Sequence, residues 1–183
     1  KHVAVADYHC AAVVGEEGSV YTWGSNHFFK CGIGAEETQT TPWRVPALTG
    51  VASVTLAHHY TAVVTKDGSA FLWGGNLPCR LSIKIPTRRI VQAEAATSNV
   101  VLRTDQGCVH YVIWDMTVRG IENVHCEAAG LDERVTTIGV ANDNEVLLEQ
   151  ADGKIIGVGE HAQSWFRLYN DITARYSDAS AAV

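Results

Sequence analysis

Short apolar runs alternate with polar turns along the chain. Ala12-Val13-Val14 and Ala62-Val63-Val64 each end in a polar stretch holding Glu17-Gly18 or Asp67-Gly68, and Val20-Tyr21-Thr22-Trp23 and Ala70-Phe71-Leu72-Trp73 follow. Runs this short, rich in β-branched and aromatic types, predict strands. An acidic residue and glycine between two such runs predicts a tight hairpin, because glycine accepts positive φ without steric cost. Val51 to Leu56 predicts a further strand, with Pro42 and Pro86 placed in loops. No segment keeps a helical period beyond about two turns.

The pattern repeats. An offset of 50 residues lays Asp7 to Val14 on Ala57 to Val64, Gly18 on Gly68, Tyr21 on Phe71, Trp23-Gly24 on Trp73-Gly74 and Asn26 on Asn76. A weaker copy runs from Ala96 through Gly107 to Tyr111, with Val112-Ile113 where Trp-Gly should stand. A fourth runs from Val146 through Gly153 to Gly159. The turn glycines 18, 68, 107 and 153 are spaced by 50, 39 and 46 residues, so loop length varies around a fixed strand core. All-β repeats of roughly 40–50 residues that cannot bury both faces alone predict stacked propeller blades.

The order of a small residue and His, then Ala-Val-Val, an Asp-Gly turn, aromatic-x-Trp-Gly-x-Asn, a Pro-led loop and Val-x-x-Val resembles the regulator-of-chromosome-condensation repeat. The likeness is strong over residues 3–82, fair over 83–112 and weak over 121–162. It departs where Asp7, Ala57 and Ala96 replace the opening glycine, and where Phe29 and Cys79 replace loop glycines. The resemblance implies a seven-bladed propeller of about fifty residues per blade. The expected fold is therefore all-β, an open arc of three to four blades or a fragment of a seven-bladed propeller. The repeat region spans 1–162 and a C-terminal extension 163–183. Such an arc leaves two open ends, residues 1–6 and the stretch around Ser164-Trp165-Phe166-Arg167-Leu168, both expected to be covered by more protein.

Composition narrows the function. Hydrophobic residues make up 46% of the chain, enough for a core, and 14 Lys plus Arg against 20 Asp plus Glu give a net charge of -6. That balance argues against direct nucleic-acid binding, although Arg80, Lys84, Arg88 and Arg89 form a local basic group. The five cysteines (10, 31, 79, 108 and 126) contain no C-x-x-C pair, which suits reduced thiols in a cytoplasmic, nuclear or ciliary compartment. No apolar run reaches the ~18 residues of a membrane span, the start Lys1-His2-Val3-Ala4 is not a signal peptide, and no N-glycosylation acceptor occurs. The chain reads as soluble and intracellular.

No nucleophile elbow, phosphate loop or zinc-protease motif occurs, so no catalytic residue, cofactor or metal is assigned. Gly157-Val158-Gly159-Glu160-His161-Ala162 matches a dinucleotide fingerprint, with Asp178 near the acidic position, but no strand-like segment leads to it and Gly159 aligns with the repeat glycines. His9, His58, His59 and Cys10 lack closed metal-ligand spacing; His9 and His59 are read as bonding loop backbone. Trp23 and Trp73 are read as blade packing, together with the structural glycines 18, 24, 68, 74, 107 and 153. Candidate partner-binding residues are His27, Phe28, Phe29 and Lys30 in the loop after the first Trp-Gly, and Trp43 and Arg44 beyond Pro42, because aromatic and Arg side chains on loops are enriched at hot spots. The expected role is a protein-interaction or scaffold module with a protein partner or further blades. The resemblance implies an alternative, nucleotide exchange on a Ran-like GTPase with chromatin association.

Overall fold

The computed structural model describes residues 2–6, 10–34, 37–75, 77, 80–95, 100–114, 124–128, 134–140 and 145–158. His9, Asn76, Cys79, Ala96, Gly159 and the extension 163–183 lie outside the described residues. Among the described residues, fifteen strands fall into four antiparallel meanders. Blade 1 is β1 (His2–Ala6), β2 (Cys10–Val14), β3 (Val20–Gly24) and β4 (Gln39–Arg44). Blade 2 is β5 (Val51–Leu56), β6 (Tyr60–Thr65), β7 (Ala70–Gly74) and β8 (Leu81–Ile83). Blade 3 is β9 (Ile90–Ala95), β10 (Val100–Thr104), β11 (Val109–Trp114) and β12 (Val124–Ala128). Blade 4 is β13 (Val135–Val140), β14 (Val146–Gln150) and β15 (Ile155–Val158).

The core lies in the seams between blades. Ala12, Val14 and Val20 of blade 1 meet Val54, Val63 and Trp73 of blade 2. Ala62, Val64 and Leu72 of blade 2 meet Ile90, Ala93 and Leu102 of blade 3, and Val101 and Val109 meet Ile138 and Leu148 of blade 4. Alternate residues of β6 thus serve opposite seams, and all six are buried. Burial on both faces explains why Ala62-Val63-Val64 in β6 reads as an unbroken apolar run rather than an alternation. The first strands β1, β5, β9 and β13 lie side by side, and the fold is an open arc of propeller blades.

The hairpin recurs in backbone detail. Gly15 N donates to Ser19 O, Thr65 N to Ser69 O, Thr104 N to Cys108 O and Gln150 N to Lys154 O, at 2.8–2.9 Å. All four turn glycines have positive φ, +73°, +86°, +81° and +84° along the chain. The first three also abut the next blade. A Cβ on Gly18 would fall 2.3 Å from Val51 N, and Ile90 N and Val135 N donate to Gly68 O and Gly107 O at 3.0 Å.

Two elements differ from the expectation. Pro42 lies inside β4 rather than in a loop; β4 is the last strand of its sheet, where a missing N–H on the outer side breaks no ladder. Trp23, expected to pack between blades like Trp73, is only half-buried, whereas Trp73 is 4% exposed.

Candidate functional site

The hairpin glycines occupy one end of the blades, so the β3–β4 and β5–β6 connections lie at the other. There Asn26 shapes the loop after the first Trp-Gly. Its Oδ1 accepts Cys31 N at 2.7 Å, its Nδ2 donates to Ile33 O at 3.3 Å, and its carbonyl accepts Phe29 N at 2.9 Å. The side-chain amide closes a loop from which His27, Phe28 and Phe29 project. Phe28 and Phe29 hold φ of +63° and +59°, a left-handed conformation that costs a non-glycine residue roughly 1–2 kcal/mol.

The next blade completes the rim. The Phe28 ring lies edge-on to His59 at 4.2 Å between centroids, His27 is tilted against Phe28 at 4.1 Å, and His58 sits 4.6 Å from His59. His27 is exposed, while Phe28, Phe29, His58 and His59 are partly buried. The sequence pointed to His27, Phe28 and Phe29 but not to His58 and His59 as their neighbours, because an offset of 50 residues aligns loops without saying that one blade's second loop touches the next blade's first.

The remaining candidates separate. Lys30 is not a surface residue: it is fully buried, and its carbonyl accepts Thr61 Oγ1 at 2.6 Å and Trp73 Nε1 at 2.8 Å. The physical reason is the seam, since the chain must turn inward after Phe29 to meet blade 2. Trp43 (42% exposed) and Arg44 lie opposite Thr22 and Tyr21 on β4, away from the rim, and Arg44 donates to Ser19 Oγ at 3.1 Å. They form a second exposed surface on the blade's outer edge.

The three arginines of the basic group bond within the fold, while Lys84 is exposed. Arg80 donates to Pro46 O and Ala47 O and lies over the Phe71 ring, Arg88 reaches Cys108 Sγ, and Arg89 caps Lys66 O. These guanidinium groups lace neighbouring segments rather than forming a phosphate cradle. Gly157 lies within β15 opposite Leu147, so the first glycine of the dinucleotide-like pattern is strand, not phosphate loop. Among the described residues no group of three metal-ligating side chains converges, and no helix is long and apolar enough to cross a membrane.

Residues 17–64, spanning the first hairpin, the rim loop and the second strand pair, match the model of the Regulator of chromosome condensation (RCC1) repeat. That match covers one repeat, residues 17–64. Human WBSCR16 superposes with a TM-score of 0.73 at 18% identity, over 88% of this chain and 48% of that one. Prp20p from Saccharomyces cerevisiae, described with its binding to Gsp1p and histones, gives 0.70 at 16%, over 87% and 44%. Yeast RCC1 (Prp20) bound to Kap60 gives 0.69 at 16%, over 86% and 42%. The chain therefore spans less than half the length of these solved propellers, and the likeness is one of fold. Among curated protein sequences none matches it significantly. Trp73 of the second blade and the loop of the first form a single joint, with Lys30 O as its socket.

Proposed function

We infer that this chain is part of a protein-binding propeller, and that the rim formed by His27, Phe28, Phe29, His58 and His59 is a contact surface for a protein partner. The observation that carries the reading is the pair of phenylalanines held at positive φ on a loop end. Strain of that kind persists only where the surroundings impose it, and it clusters at binding sites. Among the described residues the rim is aromatic and imidazole-rich without a cationic patch, which suits a protein surface better than a phosphate backbone. Binding of this kind needs no covalent chemistry. Capture of the native protein under mild conditions tests it: co-purification of a stoichiometric protein is expected, and recovery solely as a free monomer counts against it.

A second reading is nucleotide exchange on a Ran-like GTPase. It draws on the RCC1 repeat match and on Prp20p, which binds Gsp1p. Exchange requires loops that stabilise the nucleotide-free GTPase, not a catalytic constellation. Unchanged release of labelled nucleotide from Ran at micromolar protein rejects this reading and leaves the first standing.

A further inference from the structure

Between Gly68 and Ala93 the chain holds no acidic residue, yet Arg80, Lys84, Arg88 and Arg89 all fall there. Three of these four cations lie in the link from β8 to β9. Pro86 and Thr87 form the tip of a turn closed by the Ile85–Arg88 bridge, in which Arg88 N donates to Ile85 O at 3.3 Å. Just beyond it, Asp105 N donates to Arg89 O at 2.9 Å and Ile90 N donates to Gly68 O at 3.0 Å. The turn therefore sits at the hairpin end of blades 2 and 3, opposite the aromatic rim.

Thr87 holds a φ of +63°. Positive φ at the third residue of a Pro-led turn suits glycine or asparagine, and a β-branched side chain there is strained. Its hydroxyl donates to Pro86 O at 2.6 Å, within the same turn. Lys84, Pro86, Thr87 and Arg89 are exposed, while Arg88 is partly buried with its guanidinium on Cys108 Sγ. Two carboxylates approach this link from the neighbouring hairpins: Asp67 faces Lys84, and Asp105 Oδ1 accepts Arg89 N at 3.4 Å. Opening the turn at Thr87 breaks its one long main-chain bond and relieves the strain, so the hydroxyl is presented at little cost.

A kinase with an acidic peptide groove selects acceptor hydroxyls flanked by Lys or Arg, through charge complementarity. We propose that Thr87 is a phosphorylation site for a kinase of this kind, which reads Lys84 on one side of the acceptor and Arg89 on the other. Thr87 Oγ1 attacks the γ-phosphorus of ATP, and the bond from that phosphorus to the β–γ bridging oxygen breaks. ADP leaves, and the hydroxyl proton passes to the kinase's base. The product carries a charge of about -2 beside Arg88, and a guanidinium bonds phosphate oxygens more strongly than a thiol. Phosphorylation thus draws Arg88 from Cys108, loosening a tie between the link and the hairpin of blade 3.

Ser82 provides an internal comparison. It is also exposed and flanked by cations, Arg80 and Lys84, but it is held in β8 opposite Phe71, and Arg80 is occupied by Pro46 O and Ala47 O. An acceptor has to be drawn out into the kinase groove, which the turn allows and the paired strand resists. Thr87 is therefore the hydroxyl taken.

The test incubates the full native protein with ATP and the catalytic fragment of protein kinase C, and locates phosphate by mass spectrometry. Phosphate is expected on Thr87, absent from Thr87→Ala and retained at the same position in Thr87→Ser. Lys84→Gln, at an exposed position, is expected to slow incorporation about tenfold with an unchanged melting temperature, because charge recognition and not folding is lost. Phosphate on Ser82 with Thr87 unmodified overturns the proposal, as does the absence of phosphate from Thr87. Modification of Lys84→Gln as fast as the parent overturns it too. Capture of a partner at the rim, on the opposite end of the blades, is read separately, so failure here and failure of the binding role are distinguishable.

Discussion

The indole N–H of Trp73 donates to the carbonyl of Lys30 at 2.8 Å, joining the second blade to the loop that leaves the first, 43 residues earlier. The same carbonyl accepts Thr61 Oγ1, so both lone pairs are used inside a seam closed to water. Trp73→Ala is expected to destabilise the protein by about 3–5 kcal/mol through loss of packing. Trp73→Phe should cost less, with about 1 kcal/mol of its loss due to the missing hydrogen bond. Urea unfolding of the two variants checks the order. Equal losses would mean that the hydrogen bond, not the ring volume, holds the joint.

Gly18 carries two constraints at once, a φ of +73° and a backbone neighbour 2.3 Å from where a Cβ would stand. Asparagine tolerates positive φ but brings the same Cβ. Gly18→Ala and Gly18→Asn are therefore both expected to lose more than about 2 kcal/mol, well above the ~1 kcal/mol that conformation alone would cost. Chemical denaturation separates the causes, since recovery by asparagine would show that φ dominates and that the approach of blade 2 does not.

Gln92 joins the inner strands of blades 3 and 4 as a strand would. Its Nε2 donates to Ile138 O at 2.7 Å and its Oε1 accepts Ile138 N at 3.2 Å. Beside it, Glu94 accepts from Gln92 Nε2 and Thr55 Oγ1, yet burial outweighs these bonds and raises its pKa above the ordinary value of 4.5. Below 4.5 the carboxyl is protonated in both states and contributes nothing. As pH rises, the unfolded chain ionises first, so folding stability falls until the raised folded pKa is passed, and the penalty is constant above it. Asp67 has the opposite sign: the Thr65 hydroxyl leads the groups that lower its pKa, so its contribution is lost as pH falls. The difference between the parent and Glu94→Gln isolates the first effect. Its unfolding midpoint is expected to improve relative to the parent as pH rises from acid to neutral, and a constant difference across that range would contradict it.

Much of the fold was legible because each repeat states its own geometry. Glu17-Gly18 and Asp67-Gly68 gave the hairpins, the Ala-Val-Val runs gave strands, and the second of them, Ala62-Val63-Val64, is buried on both faces. The strand at Gln39–Arg44 was hidden by Pro42, which is a breaker only where a partner awaits its N–H. The site was half legible. An aromatic loop at His27 to Phe29 could be read, but the inward turn of Lys30 could not, since it depends on Trp73 and Thr61 from the next repeat. Trp23 and Trp73 look identical in sequence, yet Trp73 is buried on Lys30 O while Trp23 is half-buried.

The rim yields the remaining prediction. Phe28 touches His27 and His59 from a backbone held at positive φ, so its ring contributes to the loop's shape as well as to its surface. Phe28→Gly relieves the conformation while removing the ring, whereas Phe28→Ala removes the ring and keeps the strain. If the ring is a partner contact, both variants should weaken capture of the partner by about tenfold or more, in line with a hot-spot loss of ~1.4 kcal/mol. Stability should separate them, with the glycine variant the more stable. Trp43→Ala, on the outer edge and away from this rim, should leave capture unchanged. Surface plasmon resonance against the co-purified protein, with thermal unfolding of each variant alongside, makes the comparison. If Trp43→Ala abolishes binding while both Phe28 variants bind normally, the contact surface is the outer strand β4, and the strained loop serves only to seal the seam between blades 1 and 2.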